Sequence, residues 1–157
     1  MNDFMNQSGK AKIIVLRADG HVEDHGDWGN LFLNNGMDYL AVFQSTAPGS
    51  VMNHMAVGTI STAATLTDVV GSMGEVSRVT MATRTVPNSN NVLVEVATFA
   101  GNTNGITSVS LREVVVVNDA RSGPNGTGRS RAVFAAVVLA ASDFLRVSYE
   151  TTVGSRA

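Results

Sequence analysis

The stretch FLRVSYETTV, residues 144–153, decides the fold class. Leu145, Val147, Tyr149, Thr151 and Val153 fall on one side of an extended chain. Arg146, Ser148 and Glu150 fall on the other. Alternation with a period of two is the mark of a strand with one buried face. Upstream, further extended runs are expected at 131–138, 106–117, 91–99, 76–84 and 51–59, rich in Val, Ile, Thr and Phe. The separators carry turn chemistry: Pro87-Asn88-Ser89-Asn90, the Gly101–Gly105 segment and Ala141-Ser142-Asp143. Short strands joined in this way predict a mainly β protein, an antiparallel sandwich or small barrel.

The N-terminal third adds two elements. AKIIVLR, 11–17, is followed by Asp19-Gly20, a hairpin signal, and the chain returns through residues 20–30 to Leu31-Phe32-Leu33. MDYLAVFQS, 37–45, has helical spacing, an asparagine N-cap ahead of it and Asp38 in its first turn, so one short helix is expected there. Residues 1–9 show no periodicity and are expected to form an arm, ordered only by a neighbour if at all. The expected organisation is therefore an arm at 1–9 and one β-rich domain at 10–157. Within that domain, hairpin and helix occupy 10–47 and the sandwich 51–153. The run AVFAAVVLAA, 132–141, is apolar on both faces. It needs cover on its second side, either from the helix or from another chain.

At 157 residues the chain suits one domain. Charged residues make up only 15%, well under the roughly 25% of an average domain, so a surface covered by neighbours is expected. Net charge is −2, which gives no basic field for nucleic acid. Cysteine is absent, so disulfides and Cys-based zinc sites are excluded. The N-terminus has no apolar leader, and ten apolar residues are too few to cross a bilayer as a helix. A soluble protein made in the host cytoplasm, with no membrane partner, is the expectation.

GHVEDHGDWGN, 20–30, concentrates His21, Glu23, Asp24, His25 and Asp27 and looks most like a chemical site. On a strand, His21, Glu23, His25 and Asp27 would share one face. The two histidines would then stand roughly 13 Å apart at 3.3 Å per residue, too far to share an ion. The preferred reading is a charged hairpin edge that resists edge-to-edge pairing, with Trp28 anchoring the hairpin or packing on a neighbour. His54 is read as a hydrogen-bonded core or interface residue. RSGPNGTGRSR, 121–131, is not a P-loop, because no Gly-Lys-Ser/Thr closes it. It is read as a flexible loop, solvated or offering Arg121, Arg129 and Arg131 to an acidic protein partner. No nucleophile–base–orienter set can be assembled, which favours a non-enzyme with no cofactor.

The segments NLFLNNGMDYLAVF, MAVGTISTAATLTD, GEVSRVT, VATFAGNTNGITSVSL and SRAVFAAVVLAASDFLRVSYETTV follow one another in an order that resembles a family of small tailed-bacteriophage virion proteins. The matching residues include Asn35, Gly36, Asp38, Tyr39, Gly58, Glu75, Arg78, Phe99, Arg131, Phe134, Ser142 and Asp143, across roughly residues 11–153. Ser108-Val109-Ser110-Leu111 departs from the family pattern, and the 121–131 loop is longer than usual. The resemblance implies a capsid decoration, or cement, protein on the outer head surface. It would act as a trimer that binds the major capsid protein and copies of itself. A tail or fibre component is the alternative, and a metal- or sugar-binding protein a remote one. The residues expected at a partner interface are Phe4 and Met5 of the arm, Trp28, Arg121, Arg129 and Arg131.

Overall fold

The computed structural model describes residues 7–34, 36, 52–86, 92–103 and 105–153. They form nine antiparallel strands in one strongly curled sheet, a half-barrel, as the alternation in 144–153 required. The strands are β1 (Gln7–Leu16), β2 (Val22–Phe32), β3 (His54–Gly58), β4 (Glu75–Thr80), β5 (Thr83–Thr85), β6 (Val92–Ala100), β7 (Leu111–Val117), β8 (Gly128–Val137) and β9 (Phe144–Val153). Their order across the sheet is β4-β3-β7-β8-β2-β1-β9-β6-β5. Among the described residues a 3-10 turn, Val70–Ser72, lies outside the sheet. The helix expected at 37–45 and the arm residues Phe4 and Met5 lie outside the described residues.

β9 behaves as its sequence dictates. Leu145, Val147, Tyr149 and Thr151 are buried, while Arg146 stays exposed. The inner faces of β1, β6 and β9 meet those of β3, β7 and β8 around one core, which includes Ile13, Met55, Phe99, Val114, Phe134 and Val147. The sheet nearly closes on itself at the β4–β5 link. There Met81 N–H donates to Asn53 O (2.8 Å) and Ala82 N–H to Val96 O (2.7 Å). A second, smaller cluster lies on the outer side of β3 and β7. Leu33, Ala56, Val115 and Val117 are covered there by Val70 and Met73 of the 59–74 segment.

Several expected boundaries move. Residues 7–9, read with the arm, belong to β1 and pair with Val153, Thr152 and Thr151. The run 76–84 is two strands, because the chain crosses from one end of the sheet to the other at Met81-Ala82. Residues 106–110 are not strand, although Thr107 bridges Leu139. On the doubly apolar run, Ala132, Phe134, Val137 and Leu139 are buried, and Ala135, Ala136, Val138 and Ala140 are exposed.

Two register shifts re-aim side chains. Lys12 pairs with Asp27 but Ile14 pairs with Asp24, so β2 carries an extra residue at His25-Gly26, and Gly26 sits at φ +85°. Glycine takes that left-handed conformation without steric cost. Beyond this bulge the phase of β2 is inverted, and Trp28 stands opposite Ala11 on the inner face, packed against the core. The second shift lies between Val116, opposite Ser130, and Val117, opposite Gly128. Arg129 is the extra residue, and its side chain turns inward with Ser130 instead of outward with Arg131.

Candidate functional site

The His/acid stretch is a hairpin edge, and the bulge breaks the common face expected of it. Glu23 lies opposite buried Val15, whereas Asp24 and Asp27 lie opposite Ile14 and Lys12 on the outer face. Lys12 pairs with Asp24 (3.0 Å) and Lys10 with Asp27 (3.0 Å). The Asp24 carboxylate accepts from Gly26 N–H at 2.8 Å, which with Lys12 holds it below the usual carboxylate range. β2 pairs with β8 only at Asn30–Phe32, so residues 22–29 have β1 on one side and no strand on the other among the described residues. Charges and a bulge on such an edge oppose pairing with another chain. Trp28 Nε1–H donates to His25 O (2.9 Å), which ties the bulge to the ring that the bulge turns inward. Among the described residues no three His, Asp or Glu side chains are grouped to hold a metal ion, and no helix is long and apolar enough to cross a membrane.

Glu23 instead serves one end of the barrel. Arg17 Nε and Nη2 donate to its two oxygens at 2.8 and 2.6 Å, and Arg17 Nη1 donates to Asp143 (2.7 Å) and to Val138 O (3.0 Å). The Arg17 hydrogen bonds hold the Glu23 carboxyl down at about 2. Asp143 also accepts from Ala140 N–H (2.9 Å) and Ala18 N–H (3.1 Å); the Ala140 bond and then Arg17 lower its pKa. The Ser142-Asp143 turn is thereby locked to the β1–β2 hairpin. Beside this cap, Val22, Leu16, Phe144 and Ala100 form a cross-strand row on the outer face, with Val22 55% and Phe144 45% exposed. Val138, whose carbonyl accepts from Arg17, is also exposed.

The loop expected to be flexible is held from below. Arg78, on β4, is one of the most completely bonded groups in the chain. Its Nε and Nη2 donate to Glu75 (3.1 and 2.7 Å), its Nη1 to Asp119 O (2.9 Å) and Asn125 O (3.1 Å), and its Nη2 also to Gly123 O (3.0 Å). A guanidinium has five N–H groups, and here each has an acceptor. Gly123 N–H donates back to Glu75 (3.2 Å), and Thr127 N–H donates to Asn118 Oδ1 (2.7 Å). Residues 118–127 are thus a shaped loop over a buried cation.

The three loop arginines part company. Arg121 alone faces water, with its side chain 74% exposed and paired to Asp119. That pairing, with the Arg121 N–H bond, holds Asp119 well below its usual range. Arg129 and Arg131 are each 3% exposed and lie in β8, so the reading that offers them to an acidic partner is corrected. Arg129 makes a two-pronged pair with buried Glu95, donates to Thr151 Oγ1 (3.3 Å) and lies 5.7 Å from the centre of the Phe32 ring. Arg84 reaches the same Glu95 from the surface at 3.1 Å. Arg131 donates to Glu113 (2.8 Å), Asp68 (2.5 Å) and Thr62 O (3.2 Å). Glu113 also accepts from Ile60 N–H (3.0 Å) and Gly74 N–H (3.1 Å), which fastens the 59–74 segment to the sheet. Charges cannot be left unpaired in a core, so each is matched. Sequence reasoning missed these clamps because Glu95, Glu113 and Asp68 sit on distant segments. His54 Nε2 lies 3.2 Å from Thr80 Oγ1, and burial lowers its pKa, in keeping with a packed structural histidine.

Among the described residues the surface offers the apolar row at one end of the barrel, the loop carrying Asp119 and Arg121, and the exposed side chains of Leu66, Val69 and Val86. No family model, curated protein or solved structure matches this chain.

Proposed function

We propose that the protein is a structural component of a tailed-phage virion, a decoration (cement) protein that sits on the outer head surface and joins neighbouring coat subunits. The virion assignment rests on the ordered sequence resemblance. The observation that favours a binding scaffold is the use made of the internal charges. Arg17, Arg78, Arg129 and Arg131 are spent with their carboxylates on fixing loops and strands. The outer end then presents Val22, Val138 and Phe144 beside a fixed frame. Apolar area of this kind contributes about 25 cal/mol per Å² when a neighbour covers it.

The experiment is a quantitative gel of purified virions of the phage that encodes the chain, with labelled antibody imaging of the same particles. A copy number matching the coat lattice, with label on the head, is expected; label confined to the tail refutes the reading. Native mass spectrometry of the free protein checks the expected homotrimer. The alternative, a tail or fibre component, draws on the fixed 118–127 loop, which would suit recognition, and gives a low copy number.

A further inference from the structure

The charges of the barrel balance everywhere but at one place. Among the described residues the buried carboxylates of Glu75, Glu113 and Asp143 each meet one arginine, and that of Glu95 meets two. Arg129 takes both Glu95 oxygens through Nη1 and Nη2. Arg84 then adds its Nε–H to Oε1 at 3.1 Å. The Glu95 side chain is 0% exposed and that of Arg84 36%. Two positive charges thus converge on one buried negative charge. Neither arginine pairs with any other carboxylate among the described residues. A surplus cation held this close to a poorly solvated pair attracts an anion more strongly than one standing in open water.

Arg84 is placed to receive one. It lies on β5, the last strand of the sheet, which pairs only with β6. Its guanidinium is planar and carries five N–H donors. Nε–H is spent on Glu95, and the four N–H groups of Nη1 and Nη2 have no acceptor among the described residues. The edge formed by those two nitrogens points away from the Nε–H bond. Most surface arginines lose side-chain freedom when they bind. Glu95 has already restrained this one, so its fork is oriented in advance.

The donor geometry selects the ligand. Two parallel N–H groups match the two oxygens of a carboxylate. The surplus is one positive charge, which one carboxylate balances and a doubly charged phosphate exceeds. A single half-exposed cation holds a free carboxylate only weakly. A protein partner supplies the further contact, and Val86, two residues along and 61% exposed, offers an apolar one. We propose that Arg84, oriented by Glu95, is the anchoring point for an acidic side chain of a protein partner that docks at the β5 edge of the sheet. The expectation of an arginine offered to an acidic partner thereby passes from Arg129 to the residue that shares its carboxylate.

The test is a titration of the full chain followed by ¹H–¹⁵N spectra that resolve the arginine Nε–H groups. Sodium acetate is exchanged for sodium chloride at constant ionic strength. Arg84 Nε–H and the Val86 amide should shift and saturate, while Arg121, already paired with Asp119, should not. No response specific to acetate, or an equal response at Arg121, overturns the proposal. Inorganic phosphate acting at lower concentration than acetate identifies a phosphate site and overturns it as well. A capped Gly-Glu-Leu-Gly peptide should bind more tightly than acetate, and equal or weaker binding refutes the protein partner. Arg84→Gln should abolish the acetate response at Val86. Arg84→Lys keeps the charge and the fold but loses the fork, and should weaken binding severalfold; undiminished binding by that variant refutes recognition by the guanidinium.

Discussion

Replacing Arg78 with lysine keeps the charge and removes the fork, which separates the two ways a buried cation could hold the 118–127 loop. The guanidinium makes five hydrogen bonds, two to Glu75 and three to the carbonyls of Asp119, Gly123 and Asn125. An ammonium group has three N–H groups, so at least two acceptors lose their donor. Hydrogen bonds to a charged group contribute about 1.5–3 kcal/mol each, and the Arg78 side chain is only 1% exposed, so water does not replace them. The expected loss is about 3–6 kcal/mol. For a domain of this size that lowers Tm by roughly 6–24 °C, at 2–4 °C per kcal/mol. Calorimetry gives the global figure. Amide exchange gives the local one: Gly123 N–H, bonded to Glu75, should lose protection along with its neighbours in the loop. A Tm within about 2 °C of the parent, with Gly123 still protected, would show that the charge alone suffices and that the fork argument is wrong.

Three further predictions address other parts of the molecule. The Glu23 and Asp143 carboxyls are both held below their ordinary values, Glu23 at about 2 against 4.5, so they stabilise the fold at neutral pH; Tm should fall as pH drops from about 4.5 towards 2, and Arg17→Met should flatten that fall in a pH series of melts. Glu95→Gln leaves Arg129 without its counter-charge and should cost about 3–5 kcal/mol in denaturant unfolding, with Glu95→Gln/Arg129→Met closer to the parent than the single change; a double variant as weak as the sum of both singles would refute the pairing. Gly26→Val forces a β-branched residue into φ +85° with open space around it, so the strain alone, about 1–2 kcal/mol, should appear, accompanied by a red shift of the single tryptophan as Trp28 loosens; an unshifted spectrum would separate the bulge from the ring.

The strands were legible wherever the chain alternates or runs β-branched between turns. β9 could be read residue by residue, because each inward position is apolar or a threonine. The bulges were not legible in the same way, because one extra residue inverts every later side chain and leaves the composition unchanged. Gly26 offered a hint for Trp28. Arg129 offered none, since an arginine next to a glycine- and proline-rich segment reads as loop. A buried arginine differs from an exposed one only through its partner, and Glu95 lies 34 residues away on another strand. Glu75, Arg78, Arg131 and Asp143, among the residues on which the proposed resemblance rests, prove to be internal fasteners. Their roles in this chain are architectural.

The pairing of β1 with β9 bears on how the chain is made. From Gln7–Val153 to Leu16–Phe144, every residue of the first strand finds its partner in the last one. β1 also pairs with β2, so a nascent chain can form the early hairpin and must then wait, with one edge of β1 unpaired, until the far end leaves the ribosome. Loop closure across nearly the whole chain makes that final step slow, and an exposed strand edge during the wait invites association. The charged, bulged edge of β2 guards one side of the waiting hairpin. The other side has no such guard until β9 arrives, which makes the interval between synthesis of β1 and of β9 the period when this protein is most open to mispairing with another copy.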